Sequence, residues 1–315
     1  MSSLDRPVIV RQLYRLFIPG LLLIGGLVFS FYLLDQHLHR KFDKIATVNQ
    51  AGYRGPLAGA KLPGERRIFL MGGSTALGYG VLPDETIAAY LEQLLNVSTN
   101  VRYSVINLGF NNTGAAAFIP DLRSYSSLQP DVVIFYTGSG DLKVNPYLGR
   151  HESVVFRMTG YYPILPLIVS EKAKLIRYHS LGRWSQYKTV YRLGEKTQPA
   201  PRDSTRSSLN HWDWTYYCSQ MKKAISFALG QNKQVIVVAE PDPTAQHADQ
   251  QKALKGMLDT EFSAEPRVTY VDFGLALGAA DKGFTLDGLH LTAEGNRVIA
   301  EKLAPLIQKV FDETK

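Results

Sequence analysis

The chain has 315 residues, enough to bury a substantial core, and its 45% apolar and 20% charged content is that of a folded protein, which excludes a disordered or fibrous chain. A single cysteine, Cys218, excludes an intrachain disulfide, and beside Tyr216 and Tyr217 on an expected helix it reads as a core thiol. The formal net charge of +7 is concentrated in one stretch, described below.

Residues 1–15 form a short polar leader, and residues 16–34 (LFIPGLLLIGGLVFSFYLL) carry no charge and are just long enough to cross a bilayer as a helix. No small-x-small cleavage pattern follows; the run continues into Asp35 and a basic cluster, so an uncleaved transmembrane anchor is expected rather than a signal peptide. Arg6, Arg11 and Arg15 before the span balance Arg40, Lys41 and Lys44 after it, so charge does not set its orientation. A short segment ahead of one apolar helix resembles a signal anchor, which puts the following domain outside the cytoplasm. Residues 35–64, with Gly52, Gly55, Pro56, Gly59, Pro63 and Gly64, read as a linker, and residues 65–312 as one domain.

Ile68 to Met71 is too short for a helix and reads as a buried strand that stops in Gly72-Gly73-Ser74-Thr75, with Gly78 close behind. Asp84 is the expected cap of a helix with apolar positions Ile87, Tyr90, Leu91, Leu94 and Leu95. Val101 to Leu108 is a second strand, closed by Gly109, and a helix follows from about 114 to 127. Asp131 to Tyr136 is the third strand, ending in Thr137-Gly138-Ser139-Gly140-Asp141. Further on, a helix over 214–229, a strand over 235–239, a helix over 244–258, a strand over 268–273 and a helix over 292–311 complete the pattern. Strands alternating with helices mean a parallel sheet covered on both faces, and the expected fold is an α/β flavodoxin-like three-layer sandwich with a parallel five-stranded sheet. Ser74, Gly109, Gly140 and His290 each follow a strand, so their loops share one edge of the sheet, where open α/β sheets bind ligands.

Near the end of the chain, Asp287-Gly288-Leu289-His290 sets an acid three residues before a histidine, just ahead of a helix, so one short segment can supply a general base and the group that orients it. Taken with Gly72-Gly73-Ser74-Thr75, this resembles the SGNH (GDSL-type) hydrolases, over about 66–143 and 214–311. The resemblance implies Ser74 as nucleophile, His290 as base and Asp287 as its orienting acid. It implies an oxyanion hole from the N–H of Ser74, the N–H of Gly109 and an asparagine side chain after the third strand. The last is absent: where the family reads Gly-x-Asn-Asp, this chain has Gly138-Ser139-Gly140-Asp141, so Gly140 offers no side-chain donor and Asn111, Asn112 or Ser139 would have to compensate. The family implies no metal and no organic cofactor, and His290 has no partner at an established ligand spacing beyond Asp287. Glu240-Pro241-Asp242-Pro243 lies on the same edge and reads as a pocket wall or a solvated loop.

Between 143 and 213 the rhythm lapses. Twelve Lys or Arg stand there against five acids, interleaved with Tyr147, Tyr161, Tyr162, Tyr178, Trp184, Tyr187, Tyr191 and Trp212. Three readings stay open for this insertion: a lid or platform for an anionic glycan, a segment dipping into lipid at 161–169, or a solvated insert. No nucleic-acid-binding motif is present. The expectation is a membrane-anchored serine esterase acting on O-acyl, for instance O-acetyl, esters of envelope glycan or lipid. An O-acyltransferase with the same residues, a catalytically silent module binding glycan or a partner protein, and a nucleotide-binding domain are the alternatives. The last lacks both Gly-x-Gly-x-x-Gly and the Walker pattern.

Overall fold

The computed structural model describes residues 6–42, 48–97, 101–169, 212–242, 244–274 and 283–313. They fall into two compact units, helix α1 with residues 163–169 and the remainder of the described chain. Most of the insertion lies outside the described residues, and with it most of the lid or platform reading. Helix α1 (Arg6–Phe42) contains the whole uncharged run, and from Phe17 it is long and apolar enough to cross a membrane.

The second unit is built on five strands, β1 (Arg66–Gly72), β2 (Tyr103–Asn107), β3 (Val132–Thr137), β4 (Gln234–Ala239) and β5 (Val268–Asp272). All pair in parallel, in the order β2-β1-β3-β4-β5. This is the flavodoxin-like order, with the chain reversing direction across the sheet between β1 and β3. The three central strands are near-continuous apolar runs because both faces are covered, whereas the edge strands β2 and β5 are only partly buried.

Successive side chains alternate between faces. Ile68, Leu70, Val132, Ile134, Ile236 and Val238 pack with Leu91 of α3 (Ile87–Leu95) and Leu303 of α8 (Ala293–Asp312). On the other side Phe135 stacks on Phe118 of α4 (Phe118–Ser124), with ring centroids 5.0 Å apart. Helix α6 (Thr215–Gly230) packs on α4 and on α7 (Ala245–Glu261), completing that layer.

Thr292, at the start of the expected last helix, caps α8 by accepting from the N–H of Gly295, and Thr244 caps α7 by accepting from that of His247. Asp84 is not a cap. Pro83-Asp84-Glu85 forms a separate turn in which the Glu85 carboxylate reaches back to the N–H of Leu82, and Thr86 caps α3 through Ala89.

Part of the stretch expected to be linker is packed against the sheet. Arg54 is 4% exposed and bridges to Asn107, and its guanidinium donates to the carbonyls of Gly78 (2.9 Å) and Val81 (2.5 Å). Burial lowers its pKa to about 10, partly offset by the Glu85 charge. Arg150, counted in the basic excess, is wholly buried: it donates to the Tyr125 hydroxyl and the Leu108 carbonyl and lies 3.3 Å from Asp121. The insertion also contributes α5 (Val154–Thr159), capped by Ser153.

Candidate active site

Ser74 opens α2 (Ser74–Leu77), a four-residue helix set directly on the end of β1 and closed by left-handed Gly78. At the first helical position its N–H has no intrahelical acceptor and is free to meet a developing negative charge. Residues 283–291 pack over this turn: Thr285 bridges Leu291, and Leu286 occupies the space beside Gly80, where a Cβ would come within 2.4 Å of it.

That loop aims the histidine. Asp287 Oδ1 accepts the N–H of Leu289 (3.0 Å) and of His290 (2.8 Å), a local turn that leaves Oδ2 for the imidazole. Oδ2 lies 2.7 Å from His290 Nδ1, and His290 Nε2 lies 2.9 Å from Ser74 Oγ. Tyr79 covers the imidazole, with ring centroids 4.6 Å apart. Burial opposes ionisation of Asp287, but the hydrogen bond from His290 and those from two backbone N–H groups outweigh it and bring its pKa down to about 2. A carboxylate at Oδ2 fixes the proton on Nδ1 and leaves Nε2 free to accept from the serine. The residues expected at opposite ends of the chain are thus brought into hydrogen-bond contact.

The expected oxyanion donors fare differently. Gly109 donates its N–H to Asn107 Oδ1 at 3.0 Å, and a Cβ there would sit 2.3 Å from the Leu77 nitrogen; its glycine serves close approach to α2, and its N–H is not directed at Ser74. Ser139 is engaged as well, since both its N–H (3.2 Å) and its hydroxyl (2.5 Å) donate to Glu240 Oε2. At Gly140 a Cβ would lie 2.3 Å from the Thr113 carbonyl oxygen, so any side chain there requires the Thr113 backbone to shift. Asn111 and Asn112 are exposed, and Asn112 adopts a left-handed φ of 59°. Its N–H has no hydrogen-bond acceptor among the described residues.

Three residues outside the expected set organise these loops. Asn145 Nδ2 donates to the carbonyls of Asn112 (2.9 Å) and Gly140 (3.0 Å), tying the loop after β2 to the loop after β3. Thr113 fixes the same loop to the end of β1 by donating to the Gly72 carbonyl (3.2 Å) and the Phe110 carbonyl (2.7 Å). Glu240 is 1% exposed and so is not part of a solvated loop. Its carboxylate accepts from Thr75 Oγ1 (2.9 Å) and twice from Ser139, joining the loops after β1, β3 and β4. Burial raises its pKa against these hydrogen bonds. Asn145 lies in the arrhythmic stretch, where sequence offers no signal for it; the Glu-Pro-Asp-Pro run after a strand was the available hint for Glu240.

Solved structures similar to the chain include a GDSL-like lipase from Bacteroides thetaiotaomicron (12% identity, 80% of this chain and 92% of that one, TM-score 0.48). A member of the lipolytic G-D-S-L family from Veillonella parvula (14%, 78% and 98%, 0.46) is also similar. So is an active-site mutant of a family two carbohydrate esterase from Clostridium thermocellum (14%, 80% and 66%, 0.48). No curated protein matches the chain. The family description GDSL-like lipase/acylhydrolase matches residues 68–303, a span that opens on β1 and closes inside α8, beyond the Asp287–His290 loop, and on that match the chain belongs to this family of ester hydrolases.

Proposed function

We propose that the protein is a membrane-anchored serine esterase that hydrolyses O-acyl esters, O-acetyl among them, on cell-envelope glycan or lipid through an acyl-enzyme. The observation that carries the reading is the continuous contact from Asp287 Oδ2 through His290 to Ser74 Oγ. Ser74 Oγ attacks the ester carbonyl as His290 Nε2 takes its proton, and the imidazolium returns it to the departing alcohol. Water, activated by the same nitrogen, then releases the acid. The N–H of Ser74, at the start of α2, stabilises the oxyanion. An aromatic cleft lined by Asp141, Lys143, Trp212, Trp214 and Tyr216 beside the loop after β3 supports a sugar-bearing alcohol. The anchor and an extracytoplasmic domain match an envelope substrate.

Release of p-nitrophenol from a p-nitrophenyl acetate series, compared with Ser74→Ala, tests the reading. A fall of about 10³-fold or more is expected, and equal rates overturn it. The engagement of Gly109 and Ser139 and the closed space at Gly140 favour a second reading, a slow or silent module that binds its glycan without cleaving it. Under it the native chain is no faster than Ser74→Ala while still retained on the glycan. Acyl transfer uses the same residues and is recognised by an acylated alcohol product.

A further inference from the structure

From Phe17 to Leu34 helix α1 is apolar and exposed around its circumference, apart from partly covered Gly20. At 1.5 Å per residue that stretch measures about 27 Å, close to the hydrocarbon thickness of a bilayer. The next residue changes character abruptly: Asp35 is 3% exposed, and His39, one turn on, 5%. What meets Asp35 is the start of a helical turn at residues 165–169, whose Leu165 N–H donates to Asp35 Oδ1, while His39 Nε2 lies 3.4 Å from Asp35 Oδ2. The turn is therefore tied to α1 at the residue where the lipid-compatible run gives out. Ile164 is fully buried, yet Pro166, Leu167 (46%) and Val169 (56%) are exposed.

We infer that this turn lies in the lipid–water boundary beside α1 and seats Leu167 and Val169 among the acyl chains. The inference rests on the anchor reading. A span that ends at Leu34 puts Asp35 at the level of the headgroups, and the hydrogen bond to Leu165 puts the turn at that same level. Apolar side chains exposed at that depth are covered by lipid rather than water. In sequence, Lys172, Lys174 and Arg177 follow directly and complement anionic headgroups. The turn is thus a second membrane contact, distinct from the span and made by the insertion of the domain.

The full chain in anionic vesicles, with Cys218→Ala and single Leu167→Cys, Val169→Cys or Leu22→Cys changes carrying an environment-sensitive fluorophore, tests this. Equal thermal midpoints check that each variant folds. The Leu167 and Val169 labels are expected to emit to the blue of the free label. They are expected to be quenched roughly twofold by lipid brominated near the headgroup, and the Leu22 label by lipid brominated near the chain ends. Quenching of the Leu22 label alone overturns the inference and leaves the anchor standing. An unquenched Leu22 label removes both. Quenching that follows protein density instead of bromine assigns the face to a second copy of the chain and also overturns the inference.

Discussion

Gly140→Asn separates the geometry of this site from family analogy. Analogy says that restoring the asparagine supplies a missing oxyanion donor, an interaction whose removal elsewhere costs about 10²–10³ in turnover, so the variant ought to gain activity. The structure says otherwise. A Cβ at position 140 falls 2.3 Å from the Thr113 carbonyl oxygen, roughly 1 Å inside an ordinary carbon–oxygen contact. Thr113 has little freedom to retreat, because its hydroxyl is bonded to the carbonyls of Gly72 and Phe110. Forcing the group in costs about 1–3 kcal/mol, as overpacking does, and displaces the backbone of Thr113, whose hydroxyl holds the end of β1 below Ser74. Gly140→Asn is expected to lower kcat/KM for p-nitrophenyl acetate about tenfold and to reduce the unfolding free energy in urea by that amount. A tenfold gain in turnover at unchanged stability would refute the reasoning, showing that the Thr113 carbonyl yields and that Gly140 is simply a lost donor.

Asn145→Ala releases the carbonyls of Asn112 and Gly140 together; kcat is expected to fall about tenfold with KM little changed, the loss of about one hydrogen bond of positioning, and steady-state kinetics on a soluble ester checks it. Glu240→Ala deprives Thr75 and both donors of Ser139 of their acceptor at once, and a loss of about 2–4 kcal/mol in urea unfolding is expected. Burial pushes the Asp141 carboxyl up to about 7, the N–H of Ala115 opposing the shift and the Glu240 charge adding to it. The native state then holds a proton that the unfolded chain has released between about pH 4 and pH 7, so stability falls as pH rises through that window, by on the order of 4 kcal/mol. Asp141→Asn is expected to remove that part of the slope of unfolding free energy against pH, and an unchanged slope sinks the assignment. Asp287, held at about 2, acts in the opposite sense: its contribution is present above the unfolded carboxylate range and is lost only as pH falls toward 2.

The strands and the Asp287–His290 pair were legible because each is written locally. Ile68–Met71, Val132–Tyr136 and Val235–Ala239 are uninterrupted apolar runs, and Asp287 and His290 sit three residues apart on one turn. The donors were not legible, because whether an N–H is free depends on side chains that only the fold delivers. Gly109 is occupied by Asn107 from its own strand end, and Ser139 by Glu240 from the far side of β3. Asp84 misled for a nearer reason: Pro83 starts a separate turn ahead of the helix, and the cap passes to Thr86.

Arg54 lies outside the boundary that composition suggested, yet it crosses from the chain ahead of β1 to hold the peptide groups at Gly78 and Val81 that follow the serine helix. A soluble fragment trimmed at Glu65 would keep every strand and the whole relay and still strip two carbonyls at the serine turn of their donor. Its Ser74 would be present in sequence and poorly held in space, so inactivity of the trimmed fragment would not count against the proposed esterase, whereas a fragment beginning near Val48 would be a fair test.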